Sequence, residues 1–224
     1  MKFLAKLSIL LLLSTLASAA PIKADEQVQA VVSSHSKMAS FADFVAFLGA
    51  HAADCRALQP VYRYFNGKDH LFTINAAEIG TTTPGATGNM GYRSEGIGFY
   101  AYSTAITTCP TSTGTASTPV AVYRYFNMLN HYFTTNPNEI GTTTPGATGN
   151  GGFKSEGVGF KAYSSTAALA LRTSTTLTPV YRYYSLTNLD HYYTTNANEI
   201  GVTTVNTVGR NGYRYEGIAF HVPI

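Results

Sequence analysis

The sequence is poor in charged residues, and its few charges are nearly balanced. Only 12% of its 224 residues are charged, with 15 Lys plus Arg against 12 Asp plus Glu. It has no basic cluster that could neutralise several phosphates, so we expect neither a nucleic acid nor an anionic membrane as partner. It also lacks G-x-S-x-G, H-E-x-x-H and a glycine-rich phosphate loop. These absences argue against the common hydrolase, metalloprotease and nucleotide sites.

Long apolar runs are absent after the amino terminus. There, Lys2 and Lys6 precede an apolar run at 7–13, and small residues in an A-x-A pattern follow at 17–19. This arrangement is typical of a secretory signal peptide, which we expect to cover residues 1–19. The run is too short to span a hydrocarbon core of about 30 Å. We therefore predict a soluble, secreted extracellular protein, free or associated with a cell wall.

What the sequence does contain is a repeat. Residues 61–102 and 122–163 match without a gap at 30 of 42 positions, and a third copy at 180–222 carries two extra residues before its histidine. Such self-similarity indicates one structural unit used three times. We refer to these segments as copies 1, 2 and 3, and we predict that they form a single domain over residues 59–224.

Four β-rich runs recur in each copy. In copy 1 they read VYRYF, HLFTIN, GYRSEG and IGFYAY, and β-branched and aromatic residues dominate them. One copy alone would leave sheet edges and an apolar face exposed, whereas three copies can bury that face jointly. The sequence predicts an all-β fold in which three four-stranded repeats form a β-trefoil, with a β-prism as the alternative.

The segment before the repeats has a different character. Apolar residues lie at helical spacing within 25–51, which predicts an amphipathic α-helix. We interpret residues 20–58 as a helical segment packed on the β domain or as a propeptide. Two cysteines, Cys55 and Cys109, flank copy 1. In an oxidising compartment we expect them to form one disulfide, worth about 4 kcal/mol in the chain-entropy model.

The repeated motif V-Y-R-[YF]…[DN]-H-[FY]-[FY]-T-T…E-G-I-[AG]-F resembles a tandem-repeat family of unknown function found in secreted fungal and bacterial proteins. The resemblance implies a binding or targeting module, either appended to extracellular hydrolases or standing alone, and it supplies no catalytic residue. Two lectin motifs of threefold folds are missing. The Gln-x-Trp motif of ricin-type trefoils cannot occur because the chain has no tryptophan, and the Gln-x-Asp-x-Asn-x-Val-x-Tyr motif of monocot-type prisms is absent.

The best candidate for a ligand site is the histidine that opens the second run of each copy. An aspartate or asparagine precedes it, and in copies 2 and 3 a tyrosine follows. An acceptor oxygen, an imidazole and an aromatic face are what polyhydroxyl recognition needs, although the histidine could instead tie a turn to its strand. We expect copy 3 to bind best. The candidates are Asp69, His70, Asn130, His131, Tyr132, Asp190, His191 and Tyr192.

Three further polar positions recur. An arginine in the first run and a glutamate before the E-G glycine are predicted to pair within each copy, and the glycine to supply a bulge or positive φ. These structural residues are Arg63, Glu95, Arg124, Glu156, Arg182 and Glu216. A second glutamate lies three residues after an asparagine and predicts a reciprocal helix cap. This set is Glu78, Glu139 and Glu199.

Every titratable candidate residue occurs three times, once in each copy, and this repetition bears on whether the protein is an enzyme. Threefold symmetry would hold the three sets apart, so we expect no enzyme active site. One histidine and one acidic residue per copy also fall short of a metal site, and we expect no metal or cofactor. The favoured function is a monomeric, lectin-like module that binds an extracellular glycan or polysaccharide through up to three related sites. The alternatives are a structural or wall-associated protein and a trefoil-type protease inhibitor.

Overall fold

A computed structural model describes residues 58–106, 109–110, 116–165 and 177–223. The predicted signal peptide, the amphipathic helix and Cys55 lie outside these residues. The signal peptide, the role of residues 20–58 and the disulfide therefore stay predictions. Within the described part of the chain, no helix has the length and apolar character needed to cross a membrane.

Each copy forms an antiparallel sheet of three strands, with its first strand in the middle. Copy 1 contains β1 (Gln59–Phe65), β2 (His70–Thr73) and β3 (Arg93–Ala101), and a short hairpin of β4 (Cys109–Pro110) and β5 (Ala116–Ser117) follows it. Copy 2 contains β6 (Val120–Phe126), β7 (His131–Thr134) and β8 (Lys154–Ala162). Copy 3 contains β9 (Leu177–Ser185), β10 (Asp190–Thr194) and β11 (Tyr213–Pro223). The predicted all-β class is confirmed.

The predicted number of four strands per copy is wrong, because the third and fourth runs form one continuous strand. In the ladder between β3 and β1, Arg63 pairs with Gly96 and Tyr64 with Ser94. Glu95 therefore lies between two paired residues and is skipped in the backbone pairing of this ladder. Gly96 has φ 89°. The glycine therefore makes the predicted bulge, but the strand bends there without ending. The bulge also takes the glutamate out of the regular alternation of side chains.

A short helical turn follows the second strand of each copy. In copy 1 it is helix α1 (Ala76–Ile79), and in the other copies it is a 3₁₀ turn, Pro137–Glu139 and Ala197–Glu199. The asparagine before each turn caps it: Asn75, for example, accepts a hydrogen bond from the backbone N–H of Ala77. The asparagine half of the predicted reciprocal cap is present, and it fixes the position of the glutamate that the turn carries.

Aromatic rings from all three copies meet in two buried layers. The ring centroids of the first layer lie 5.5–5.8 Å apart, and this layer consists of Phe72, Phe133 and Tyr193. Those of the second layer lie 5.7–5.9 Å apart, and this layer consists of Phe99, Phe160 and Phe220. Each layer takes one ring from each copy. The apolar face of every sheet is thus covered by the other two, and the three copies share one core.

Successive copies also meet through their backbones. Tyr102 and Lys161 exchange two hydrogen bonds of 3.0 Å, and Tyr163 and His221 exchange two of 2.8–2.9 Å. We call the contacts between copies junction 1/2, junction 2/3 and junction 3/1. The last of these joins the carboxyl-terminal copy back to the first, through the side chains described next.

Candidate functional site

The predicted histidines pair with acidic or amide side chains of the preceding copy. At junction 1/2, Asp69 Oδ1 accepts a hydrogen bond of 2.7 Å from the backbone N–H of His131, and its Oδ2 lies 2.6 Å from Nδ1 of that imidazole. At junction 3/1, Asp190 contacts the backbone N–H and Nδ1 of His70 at 2.9 and 2.5 Å. The structure thus assembles these residues between copies rather than within one copy.

Junction 2/3 has an amide in place of the carboxylate. Asn130 Oδ1 lies 2.7 Å from Nδ1 of His191. All eight predicted ligand-binding residues are buried, with at most 8% of any of them exposed. Each histidine also packs against an aromatic ring of its own copy, with centroids 4.3–4.5 Å apart; the partners are Phe65, Phe126 and Tyr184. A ligand would therefore reach these residues only through the side chains around them.

A tyrosine completes the carboxylate sites and is missing from the amide site. The Tyr92 hydroxyl donates to Asp69 Oδ2, and the Tyr213 hydroxyl donates to Asp190 Oδ2 at 2.5 Å. Copy 2 has Phe153 at this position. The two residues by which copy 2 differs, Asn130 and Phe153, go together, because a neutral amide oxygen needs fewer hydrogen-bond donors than a carboxylate. Sequence reasoning missed this link, although comparing the three copies could have revealed it.

Burial and hydrogen bonding set the charges of these groups. Burial by itself would raise the pKa of Asp69, but the hydrogen bonds from His131 and Tyr92 outweigh it and hold that pKa below its ordinary value. At junction 2/3, burial lowers the pKa of His191 to about 3, and the nearby Arg182 guanidinium acts in the same direction. Asp69 is therefore a carboxylate and His191 a neutral imidazole at pH 7.

Each arginine bridges two copies through two carboxylates. Arg63 Nε lies 2.7 Å from Glu95 of its own copy, and Arg63 Nη1 lies 3.2 Å from Glu199 of copy 3. The other two arginines repeat this arrangement at 2.8–3.2 Å, as Glu156–Arg124–Glu78 and Glu216–Arg182–Glu139. The glutamates of the helical turns thus cross to the next copy instead of closing the predicted reciprocal cap.

The imidazoles connect the two sets of contacts into one cluster. His70 Nε2 lies 3.7 Å from Glu95, and the equivalent distances in copies 2 and 3 are 3.6 Å. We call each set of aspartate or asparagine, histidine, arginine and two glutamates a junction cluster. Its arginine side chain is 16–18% exposed and its glutamates are 23–34% exposed. The solvent-facing part of each cluster is therefore one guanidinium between two carboxylates.

Comparison with known protein families identifies the family of this chain. A family model described as a domain of unknown function (DUF5648) matches residues 47–163 and 121–223. The chain belongs to this family. The first DUF5648 match contains copies 1 and 2 and the second contains copies 2 and 3, so each match includes one complete junction cluster. The predicted membership of a family of unknown function is confirmed. No curated protein and no solved structure matches the chain.

The DUF5648 junction clusters offer hydrogen bonding and charge but no metal centre. Among the residues that the structure describes, no group of three or more histidine, cysteine, aspartate and glutamate side chains could hold a metal ion. The arginine occupies the position between the carboxylates where a cation would lie. The clusters can accept hydrogen bonds through the glutamates and donate them through the guanidinium.

Replacing Asn130 with aspartate should reduce the acid sensitivity of the protein. The folded pKa of His191, about 3, lies below the unfolded value of about 6.5, so its contribution to stability is present above pH 6.5 and is lost as the pH falls toward 3. A carboxylate at position 130 would stabilise the imidazolium and raise that pKa. We expect Asn130→Asp to lose less Tm than the wild type between about pH 7 and pH 5 in calorimetry. NMR titration of His191 should show the higher pKa.

The double variant Asn130→Asp/Phe153→Tyr is the matched control. The new hydroxyl should stabilise the protein only when a carboxylate is present to accept its hydrogen bond. At pH 7 we expect Phe153→Tyr to raise the Tm of Asn130→Asp and not that of the wild type. Equal effects of Phe153→Tyr in the two backgrounds would contradict this account.

Proposed function

We propose that this protein is a secreted, monomeric, non-catalytic binding module that recognises a glycan at its junction clusters, with up to three related sites. The observation that carries the proposal is the threefold recurrence of one solvent-facing arrangement, a guanidinium between two partly exposed carboxylates. We infer that the body is a closed trefoil, with a prism as the alternative. The two three-membered aromatic layers support a closed threefold form.

The chemistry of the clusters suits a neutral, hydroxyl-rich ligand. Carboxylate oxygens accept hydrogen bonds from sugar hydroxyls, and guanidinium N–H groups donate to sugar oxygens. An exposed aliphatic residue follows each E-G bulge and can cover a sugar C–H face; these residues are Ile97, Val158 and Ile218, 39–49% exposed. Because two carboxylates face one guanidinium, each cluster would repel an anionic sugar.

The protonation of the glutamates in the helical turns favours binding over hydrolysis. Glycosidases need one carboxylic acid with a raised pKa as a proton donor. In Glu78, Glu139 and Glu199, burial alone would raise the pKa. Hydrogen bonds from nearby hydroxyls and from the facing arginines outweigh it, and all three pKa values lie below the ordinary one. These carboxylates act as acceptors at neutral pH.

A structural, wall-associated protein is the second candidate. The nearly complete burial of Asp69, Asp190 and the three histidines favours it, because such residues can serve only to fasten the copies together. In that case insoluble chitin or β-glucan would retain the protein, and no soluble oligosaccharide would compete for it.

The deciding experiment is a binding screen. We expect the purified protein to bind neutral polysaccharides in an array that also contains acidic ones, and Glu199→Gln to weaken binding about tenfold through loss of a charged acceptor, worth about 1.4 kcal/mol. Lys154→Gln, an exposed change outside the clusters, is the control and should bind like the wild type. If the folded protein binds nothing on the array, the structural candidate replaces the glycan proposal.

A further inference from the structure

The three junctions also differ at the residue that follows the histidine. The residue after the histidine is Tyr132 in copy 2 and Tyr192 in copy 3, but Leu71 in copy 1. The rings of Tyr132 and Tyr192 contact the histidine of the next copy, with centroids 4.8 Å apart, so tyrosine belongs to junctions 2/3 and 3/1. By its equivalent position, leucine belongs to junction 1/2. The sequence suggested that copy 3 is the best site, but its Tyr192 and His191 serve different junctions. The unit of comparison is therefore the junction and not the copy.

The tyrosine hydroxyl lies between the ion-paired groups at junction 3/1. Tyr192 Oη accepts a hydrogen bond of 2.6 Å from Arg63 Nη1 and donates one of 2.7 Å to Glu199 Oε2. The direct contact between Arg63 and Glu199 is 3.2 Å. At junction 1/2 the equivalent residue is Leu71, which carries no hydroxyl, and Arg124 contacts Glu78 directly at 2.9 Å.

Junction 2/3 resembles junction 3/1. The Arg182 guanidinium lies 4.9 Å from the centroid of the Tyr132 ring, as Arg63 lies 5.2 Å from that of Tyr192. Arg182 lies 3.2 Å from Glu139. At both tyrosine junctions the contact between the arginine and the preceding copy's glutamate is thus longer than at the leucine junction.

Exposure of the preceding copy's glutamate follows the same division. The side chains of Glu199 and Glu139, at the tyrosine junctions, are 33% and 32% exposed, whereas Glu78, at the leucine junction, is 23% exposed. A carboxylate that is held by a neutral hydroxyl and reaches solvent keeps acceptor positions for a ligand. A carboxylate in close contact with a guanidinium, as at the leucine junction, would have to weaken that ion pair before it could accept a hydrogen bond from a ligand.

We propose that the ligand is a neutral hydroxyl-rich oligosaccharide bound at junctions 2/3 and 3/1 only, and that junction 1/2 is a structural ion pair. This inference rests on the proposed function and adds the number and place of the sites. Tyr132 and Tyr192 are positioning residues: they hold a glutamate and an arginine apart so that both can meet the sugar. Leu71 is the residue that closes the third site.

Titration calorimetry and NMR with laminarihexaose and chitohexaose test the inference. We expect two sites per chain for the hexasaccharide that binds. During the titration the side-chain Nε–H resonances of Arg63 and Arg182 should shift, while that of Arg124 should not. Leu71→Tyr should raise the stoichiometry to three and make the Arg124 resonance respond. Tyr192→Phe should weaken one site about tenfold and remove the response of Arg63.

Tyr100→Phe removes an exposed hydroxyl outside the clusters and serves as the control, with unchanged binding expected. Circular dichroism and Tm establish that each variant is folded. Three equal sites, one site, or a response of Arg124 in the wild type would overturn the inference and leave the proposed function standing. An unchanged stoichiometry in folded Leu71→Tyr would overturn the role of the tyrosine. If folded wild-type protein binds neither hexasaccharide, the inference fails; if it also binds nothing on the polysaccharide array, the proposed function fails with it.

Discussion

Replacing Asp69 with alanine is expected to lower the free energy of unfolding by about 3–5 kcal/mol. The Asp69 carboxylate is buried and receives the backbone N–H and Nδ1–H of His131 and the hydroxyl of Tyr92. Alanine would leave these donors buried without an acceptor, which costs far more than the loss of an average hydrogen bond. Urea unfolding at pH 7, followed by circular dichroism, measures the difference.

Asn130→Ala is the control, because it removes the equivalent residue from another junction. Asn130 accepts from His191 Nδ1, and copy 2 has Phe153 where copy 1 has the tyrosine that donates to Asp69. We expect a smaller loss of about 1–3 kcal/mol. Equal losses in the two variants would contradict the view that the number of donors sets the cost.

Acid should reduce the effect of Asp69→Ala. The folded pKa of Asp69 lies below its ordinary value, so the stability that its charge contributes is present above the unfolded pKa of about 4 and is lost as the pH falls through the folded value. The gap between wild type and Asp69→Ala should therefore narrow below about pH 4. A gap that does not change with pH would mean that packing, not charge, holds this junction.

Gly149→Ala is expected to cost about 3 kcal/mol, although its backbone angles suit any residue. Its φ is −116°, in the extended region. A Cβ atom there would collide with the backbone oxygen of Ile140 and lie 2.8 Å from Cγ2 of the same residue. The turn that carries Glu139 ends beside Ile140, so the variant should also weaken ligand binding at junction 2/3. Chemical unfolding and calorimetry measure the two effects.

Gly146→Ala, in the same loop, is the comparison. Gly146 has φ 87°, and no atom of the residues that the structure describes lies within 4 Å of the position that an alanine Cβ would take. Alanine there suffers only backbone strain of about 1–2 kcal/mol. Binding should be unchanged, because the turn of Glu139 stays in place. If Gly146→Ala proves more destabilising than Gly149→Ala, close approach to Ile140 is not what requires the glycine.

The sequence was sufficient for the features that one copy can encode. The three copies, the all-β class, the bulge at Gly96 and the cap at Asn75 follow from local residue patterns. The fourth strand was an error because glycine in an E-G pair marks either a bulge or the end of a strand, and local pattern does not separate the two. The backbone pairing of Arg63 with Gly96 and the register shift beside it show that this glycine marks a bulge.

The partners between copies were harder to predict. In a repeat, the spacing from Asp69 to His70 is the same whether the aspartate serves its own copy or the next, so a within-copy site looked natural. Glu199 was assigned to a helix cap because Asn196 precedes it at capping distance, and nothing local shows that it reaches Arg63. The differences among copies carried the missing information, since Asn130 and Phe153 depart together.

The direction of the junctions limits how the chain can change in length. Each copy offers an acidic or amide face to the next copy and a histidine and arginine face to the previous one, so the interface is head-to-tail and its rotation closes after three units. Deleting one copy would leave an unmatched buried acceptor at one end and an unmatched imidazole at the other. Adding a fourth would open the aromatic layers. Copy number in this fold is therefore set by geometry, because three copies satisfy every junction within one chain.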